Sequence, residues 1–242
     1  MNRYAMGDNH GRFQEYKLLL EKVNFNYDED EFIQTGDIVD YGPGSFEIIF
    51  DMLKMKKRIS VKGNHDEHFL SYIINPEYGH PFNGEHGSYA SMLQWQTLLS
   101  NEKELVKTFL ESQKLYHIDS KNNLFVHAGL DTDLRIEEQD KWILMDERYF
   151  WEEKMMGLQG KIEKIETFEN FNEIFIGHTP TFCHKKNASG LYVPEPTWVG
   201  VELEPIHIAN VWNLDTGAKM KPGRLSIINI DTHEVTQQEL IY

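Results

Sequence analysis

Five short segments of this 242-residue chain set aspartate, asparagine or histidine beside glycine: Met6-Gly7-Asp8-Asn9-His10-Gly11, Gly36-Asp37-Ile38-Val39-Asp40, Gly63-Asn64-His65-Asp66, Val126-His127-Ala128-Gly129 and Ile176-Gly177-His178-Thr179-Pro180. Carboxylate, imidazole and amide groups that converge are ligands for divalent cations. Two such cations about 3.5–4 Å apart neutralise phosphoryl oxygens and lower the pKa of a water between them. Asp8 and His10, two apart on an extended segment, can reach one ion, and Asp37 can bridge two through its two oxygens. Asn64 offers a neutral carbonyl oxygen, while His127 and His178 offer imidazoles that complete a second ion from distant loops. His65 stands next to a ligand. A buried carboxylate such as Asp40 can fix its ring and keep it protonated for donation to a leaving oxygen. Taken singly, Asp8 or Asp37 reads as a turn or a helix cap. Five segments of the same build read as one site at one edge of a sheet.

The elements that must position these side chains follow from periodicity. Residues 3–6 form a short buried strand, and Phe13, Tyr16, Leu20 and Val23 recur at helical spacing after it. A second strand over 31–35 leads through the Gly42-Pro43-Gly44 turn to a helix over 46–53. A third strand over 58–61 delivers Asn64, His65 and Asp66 into a short loop, with a helix following over 67–74. Three strand–helix units in succession predict a parallel sheet flanked by helices, and right-handed crossovers put the strand ends on one side. Residues 75–87 read as a loop, and 88–99 and 101–113 as helices, the latter capped by Asn101 with Glu104. Strands over 115–119 and 123–127 flank a tight turn. The charged, aromatic stretch 131–172 is a helical insertion between two site loops and a candidate cap; its Trp142, Tyr149, Phe150 and Trp151 suit helix packing or stacking on a nucleobase. The runs 211–214, 225–230 and 235–240 read as an antiparallel closing sheet. No repeat or linker interrupts the chain, so one domain over 1–242 is expected.

Bulk properties exclude several classes. With 24 basic against 39 acidic residues, the net charge of −15 disfavours nucleic-acid backbones and anionic membranes as partners. No apolar run approaches a bilayer span, and Cys183 is the only cysteine, so no intrachain disulfide is possible. The first strand begins almost at once, which leaves no room for a signal peptide and makes the cytoplasm the expected location. The sequon Asn187-Ala188-Ser189 is then a chance match.

In order and spacing the segments resemble the calcineurin-like metallophosphoesterases, in particular the phosphoprotein phosphatase branch that includes Ser/Thr phosphatases and symmetrical diadenosine tetraphosphate hydrolases. Residues 7–11 match GDxHG, 36–42 match GDxxDRG with one change, 63–66 match GNHE/D, 127–129 match HAG and 177–180 match GHTP. Residues 212–218 and 223–226 are similar to the family's closing strands. The resemblance implies a four-layer α/β/β/α sandwich with a small helical cap. It implies a first metal on Asp8, His10 and Asp37, a second on Asp37, Asn64, His127 and His178, and His65 with Asp40 as the general acid. It further implies one-step hydrolysis by a metal-bridging hydroxide, with manganese, iron or zinc as the two divalent ions. Mixed oxygen and nitrogen ligands suit all three metals.

The chain also departs from the family. Tyr41 stands where GDxxDRG has arginine, and Lys62 where many members have arginine before GNH. A third family arginine follows a tryptophan in the cap. If Trp151 is that tryptophan the matching position lies near Glu153, and a shifted alignment supplies Arg148 instead. Neither tyrosine nor lysine reproduces the bidentate arginine fork on phosphate. Lys62, Tyr41 and Arg148 are therefore the candidate substrate contacts. The expected activity is metal-dependent hydrolysis of a phosphorylated small molecule, nucleotide or protein, with a Ser/Thr phosphatase-like phosphomonoesterase favoured. Hydrolysis of a dinucleoside polyphosphate or a diester is the alternative within the class. A metal-binding regulatory module that kept the fold is the alternative outside it.

Overall fold

The computed structural model describes residues 1–79, 81–82, 86–156, 167–186, 192–194 and 200–241; His80 and the sequon at 187–189 lie outside them. In chain order the elements begin with β1 (Arg3–Met6), α1 (Phe13–Lys22), β2 (Glu31–Gln34), α2 (Ser45–Met52), β3 (Lys57–Ser60) and α3 (Asn64–Ile74). Next come α4 (Ser88–Thr97), α5 (Ser100–Ser112), β4 (Tyr116–Ile118), β5 (Leu124–Val126), α6 (Lys141–Asp146) and β6 (Ile174–Ile176). The strands β7 (His184–Lys186), β8 (Tyr192–Pro194), β9 (Ile206–Ile208), β10 (Val211–Asn213), β11 (Arg224–Asn229) and β12 (Val235–Glu239) follow. A π-helical turn occupies Phe150–Met155.

Two five-stranded sheets carry the fold, in the orders β12-β11-β1-β2-β3 and β4-β5-β6-β10-β9, with β7 and β8 as a separate pair. The first three strands are parallel, as the three strand–helix units require. The expected antiparallel closing sheet forms only in part: β11 and β12 pair antiparallel and extend the first sheet, with β11 antiparallel to β1. The remaining run, β10, joins the second sheet instead, parallel to β6. A short apolar run specifies a strand but not which sheet edge it joins, which is why the two destinations were not separable beforehand.

The period-2 alternation of strand side chains explains the layers. Tyr4 and Met6 face the helices with Phe32, Tyr16, Leu19, Ile49 and Phe69, whereas Ala5 and Ile33 face the other sheet. In the second sheet Phe125 and Phe175 point inward and stack with centroids 4.9 Å apart and planes 9° from parallel. Leu124, Val126, Ile174 and Ile176 point outward onto Leu144, Phe150 and Trp151. The result is helix, sheet, sheet, helix: the expected four-layer sandwich. Each fully buried large apolar side chain contributes about 1.5–3 kcal/mol, and the inter-sheet seam gathers Ile33, Val61, Leu214 and Ile228 around the two phenylalanines. Phe150 and Trp151 belong to this packing, and the exposed members of the aromatic stretch are Trp142 and Tyr149.

Two local expectations are corrected. The α5 cap is Glu102 accepting from the Leu99 amide at 2.8 Å, one turn-start earlier than Asn101 with Glu104. Asn64, His65 and Asp66 are not in a loop but form the first turn of α3. Asp66 closes that turn by accepting from Gly63 N at 3.3 Å. Because first-turn amides have no partner within a helix, the His65 amide is free to donate to Asp37 Oδ1, which it does at 3.0 Å.

Candidate active site

The loops after β1, β2, β3, β5 and β6 meet over the seam between the two sheets, and Asp8, His10, Asp37, Asp40, Asn64, His65, His127 and His178 are all buried there. Two groups of ligand atoms draw within 4.8 Å of one another: His10, Asp37 and His65, and Asp37, His127 and His178. Asp37 is common to both. Asp8 is not in the first group, yet its Oδ2 is 3.9 Å from His10 Nε2, and its carboxylate accepts from the His178 amide at 3.1 Å.

Each imidazole is aimed by a contact on its far nitrogen. His10 Nδ1 bonds Val39 O at 2.9 Å and His127 Nδ1 bonds Thr35 O at 2.8 Å, so in each ring Nε2 carries the inward lone pair. His178 is reversed: its Nε2 bonds the carbonyl of Asp146 at 3.1 Å and Nδ1 is left to face inward. His127 Nε2 then meets Asn64 Oδ1 at 3.2 Å and Asp37 Oδ1 at 3.4 Å. Three acceptors converging this closely need a positive charge between them, whether a proton or a metal ion. The donor set therefore fits a divalent cation.

Electrostatics agree. Burial pushes the Asp8 carboxyl well above its ordinary range, and the Asp215 carboxylate adds to it. Burial resists protonation of His127, but Asp37 and Asp8 outweigh it and raise it to about 10. Burial, with His65 next, drops His10 to about 3. Asp37 is buried too, but His127 and His65 hold it well below the usual carboxylate range. A field that retains a proton on a buried imidazole equally favours a cation in its place.

Backbone conformation is committed to this geometry. His10, Asp37, Asp40, Tyr41 and His178 all have left-handed φ, between 43° and 74°. Such residues each cost about 1–3 kcal/mol and persist only where surroundings impose them. At Gly63 a Cβ would lie 2.1 Å from Asp37 Oδ1, and at Gly177 one would lie 2.1 Å from Asp8 Oδ1. Glycine is needed at both because a carboxylate occupies that space.

His65 Nδ1 bonds Asp40 Oδ2 at 2.7 Å, as the sequence predicts. Burial lowers the imidazolium, but Asp37 and Asp40 more than compensate and hold His65 above its ordinary value. Asp40 is itself held by Ser91 of α4, whose hydroxyl accepts from the Asp40 amide at 2.7 Å.

The three candidate substrate contacts have different surroundings. The Tyr41 ring packs on His10 and His65, at 4.8 and 5.7 Å. Lys62 Nζ is paired with Glu67 at 2.8 Å. Arg148 Nη1 donates to Thr179 Oγ1 at 3.2 Å, beside His178, whereas Trp151 is fully buried away from it. Several residues were not foreseen. Asp146 holds the Asn64 amide on its Oδ1 at 3.0 Å as well as His178 on its carbonyl. Asp66 accepts from the Ile38 amide at 2.9 Å and from Gln113 Nε2 at 2.8 Å, locking the β2 and β3 loops together. Lys219 lies near enough to act electrostatically on His10, His65 and His178. Of the other histidines, His86 reaches the neighbourhood through Phe82, at 5.0 Å, while His184 stands in neither ligand group.

The model of the calcineurin-like phosphoesterases matches residues 1–191. The chain belongs to that family. Among relatives, the symmetrical bis(5'-nucleosyl)-tetraphosphatase of Neisseria meningitidis serogroup A is 25% identical over 98% of this chain and 95% of its own. The asymmetrical bis(5'-nucleosyl)-tetraphosphatase PrpE of Bacillus cereus is 28% identical over 92% of this chain and 88% of its own. Among solved structures, a candidate diadenosine tetraphosphatase superposes with TM-score 0.63 at 20% identity, covering 98% of this chain and 93% of that one. A cold-active protein tyrosine phosphatase gives 0.62 at 16% identity, with 99% and 78% covered. These two likenesses show the fold. With the family and the ligand groups in place, the protein is a metal-dependent phosphoester hydrolase. Among the described residues, no helix is long and apolar enough to cross a membrane.

Proposed function

We propose that the protein hydrolyses a dinucleoside polyphosphate or a closely related phosphoanhydride. Asp8, His10 and Asp37 would hold one divalent ion and Asp37, Asn64, His127 and His178 a second. When bound, such a pair supplies Lewis acidity to the phosphoryl oxygens and lowers the pKa of a water. The chain's own residues do the rest. Asp40 orients His65 and stabilises its imidazolium, and His65 donates a proton to the departing phosphate oxygen. Asp146 sets the faces of Asn64 and His178, and Arg148 offers a guanidinium at the rim beside Thr179. The reading carries with it a single domain over 1–242 in which 131–172, of which 157–166 lie outside the described residues, is a cap over the site.

The observation that carries the choice of substrate is Tyr41. At the position where an arginine would fork a phosphomonoester dianion, an aromatic ring packs on His10 and His65, and the neighbouring Lys62 is tied to Glu67. A terminal dianion loses grip in such a site, whereas an internal phosphate of a longer chain carries less charge and loses less with that fork. The names of the relatives agree with this, and the phosphomonoesterase favoured from sequence is the competing outcome of the test. The test is turnover by protein loaded with manganese, iron or zinc on diadenosine tetraphosphate and on a phosphoserine peptide. Expected is preferential hydrolysis of the dinucleotide, with ADP or the ATP and AMP pair as products. Efficient dephosphorylation of the peptide with an untouched dinucleotide would sink the proposal. Two tightly held ions with no turnover of any phosphoester would support the regulatory module.

A further inference from the structure

A series of rings leaves the site on the side of His65. Phe82 lies 4.7 Å from His65, His68 lies 4.8 Å from Phe82, and Trp142 stacks on His68 at 5.6 Å with planes 30° apart. His65 and His68, three apart in α3, share one helix face, so α3 itself lays out the inner part of the series. Trp142 comes from α6, whose Asp146 already touches Asn64 and His178. The rings thus run from the candidate acid to the surface, where Trp142 is 40% exposed and His68 and Phe82 are half-buried. Lys141 Nζ stands 4.9 Å from the Trp142 centroid and is tethered to Glu67 at 3.2 Å, next to the Lys62 pair.

Resting on the dinucleoside reading above, we infer that Trp142 and His68, with Phe82 as the inner step, receive the nucleobase of the leaving nucleotide. The direction follows from the chemistry. The proton from His65 goes to the oxygen on which the P–O bond breaks, so whatever that oxygen carries lies on the His65 side. A leaving group with an aromatic ring is the ligand that a run of rings beginning there accommodates. The distance selects which aromatic. In an aryl phosphate the ring is bonded to the leaving oxygen itself and would rest at Tyr41 and Phe82. A nucleobase is separated from that oxygen by a ribose and at least one phosphate and reaches the outer rings. Burial lowers the His68 imidazolium, leaving a neutral ring that can stack and exchange hydrogen bonds with a base edge. Lys141 and Lys62 share the single Glu67 carboxylate, which leaves the trio one net positive charge beside the same ring, where the nucleotide's phosphates would pass. Stacking of a base on an aromatic side chain is sequence-tolerant, so the site would accept several bases.

The experiment compares wild type with Trp142→Ala, Trp142→Phe and His68→Ala, all metal-loaded. It measures kcat/KM on diadenosine tetraphosphate relative to tripolyphosphate, which has no ring, and AMP affinity by calorimetry. Loss of one stacking partner is expected to lower that ratio about tenfold, through KM, and to weaken AMP by a similar factor, with Trp142→Phe restoring most of both. An unmoved ratio together with unmoved AMP affinity in Trp142→Ala overturns the inference, as does a wild type that fails to bind AMP. So does an equal dependence of p-nitrophenyl phosphate on Trp142, because its ring cannot reach there. If AMP binds through Trp142 while diadenosine tetraphosphate is not cleaved, the base site stands and the substrate reading of the preceding section falls.

Discussion

Replacing Asp40 by Asn isolates the contribution of the acid. Asn tolerates the left-handed φ of 74° at this position and keeps the side-chain shape, so the loop and the amide bond to Ser91 should persist. What is lost is the charge on a buried 2.7 Å hydrogen bond to His65 Nδ1. Hydrogen bonds to a charged group contribute about 1.5–3 kcal/mol. At about 1.4 kcal/mol per factor of ten, that predicts kcat reduced roughly 10- to 150-fold. The pH profile carries an independent sign. Asp37 and Asp40 raise His65, so the protonated acid is present below the raised pKa and is lost as pH rises through it. Without the Asp40 charge the alkaline limb of kcat must move to lower pH, though Asp37 retains part of the shift. The assay is a kcat–pH series on diadenosine tetraphosphate and on p-nitrophenyl phosphate, whose leaving group needs far less protonation, with metal content measured alongside. An unmoved alkaline limb, or the same loss on both substrates, would refute the assignment of His65 as acid. Loss of metal would show instead that Asp40 supports the ligand cluster.

Other outcomes follow from the packing of the site and seam. Gly63→Ala puts a Cβ 2.1 Å from Asp37 Oδ1 and 2.4 Å from Asp37 N, so elemental analysis should find metal lost; stoichiometric retention would count against Asp37 as a bridging ligand. Asp66→Ala strands the amides of Ile38 and Gly63 and leaves Gln113 Nε2 only Ser60 Oγ and Val61 O as acceptors, and should lower unfolding free energy in urea by about 2–4 kcal/mol. A change below about 1 kcal/mol would mean that water replaces the carboxylate. Phe125→Ala opens a cavity against Phe175 in the seam and should cost about 3–5 kcal/mol by the same measurement, less only if the sheets collapse onto it.

Much of this was legible in the sequence because the chemistry-bearing residues follow strands and glycine. Asp8, His10, Asp37, Asp40 and Asn64 with His65 leave β1, β2 and β3, and the parallel strand–helix run that carries them was readable from apolar periodicity. His127 and His178 behave the same way at β5 and β6. What stayed hidden was long-range. Nothing local in Ser91, Asp146 or Lys219 marks them, since each acts on a loop far away in the chain. The early start of α3 was missed because its cap is the Gly63 backbone with Asp66 reaching back, not a side chain at the cap position itself. The exposed aromatics were visible as a charged, aromatic stretch. That Trp142 and not Trp151 faces outward required knowing which of them β5 and β6 cover.

His178 and Asp8, 170 positions apart, meet through an amide-to-carboxylate bond across the meeting line of the sheets. A nascent chain that has emerged through α5 already displays Asp8, His10, Asp37 and Asn64, but the imidazoles of His127 and His178 are still to come. Neither half of the chain carries the whole cluster, so a proteolytic fragment of either half would lose hydrolysis outright.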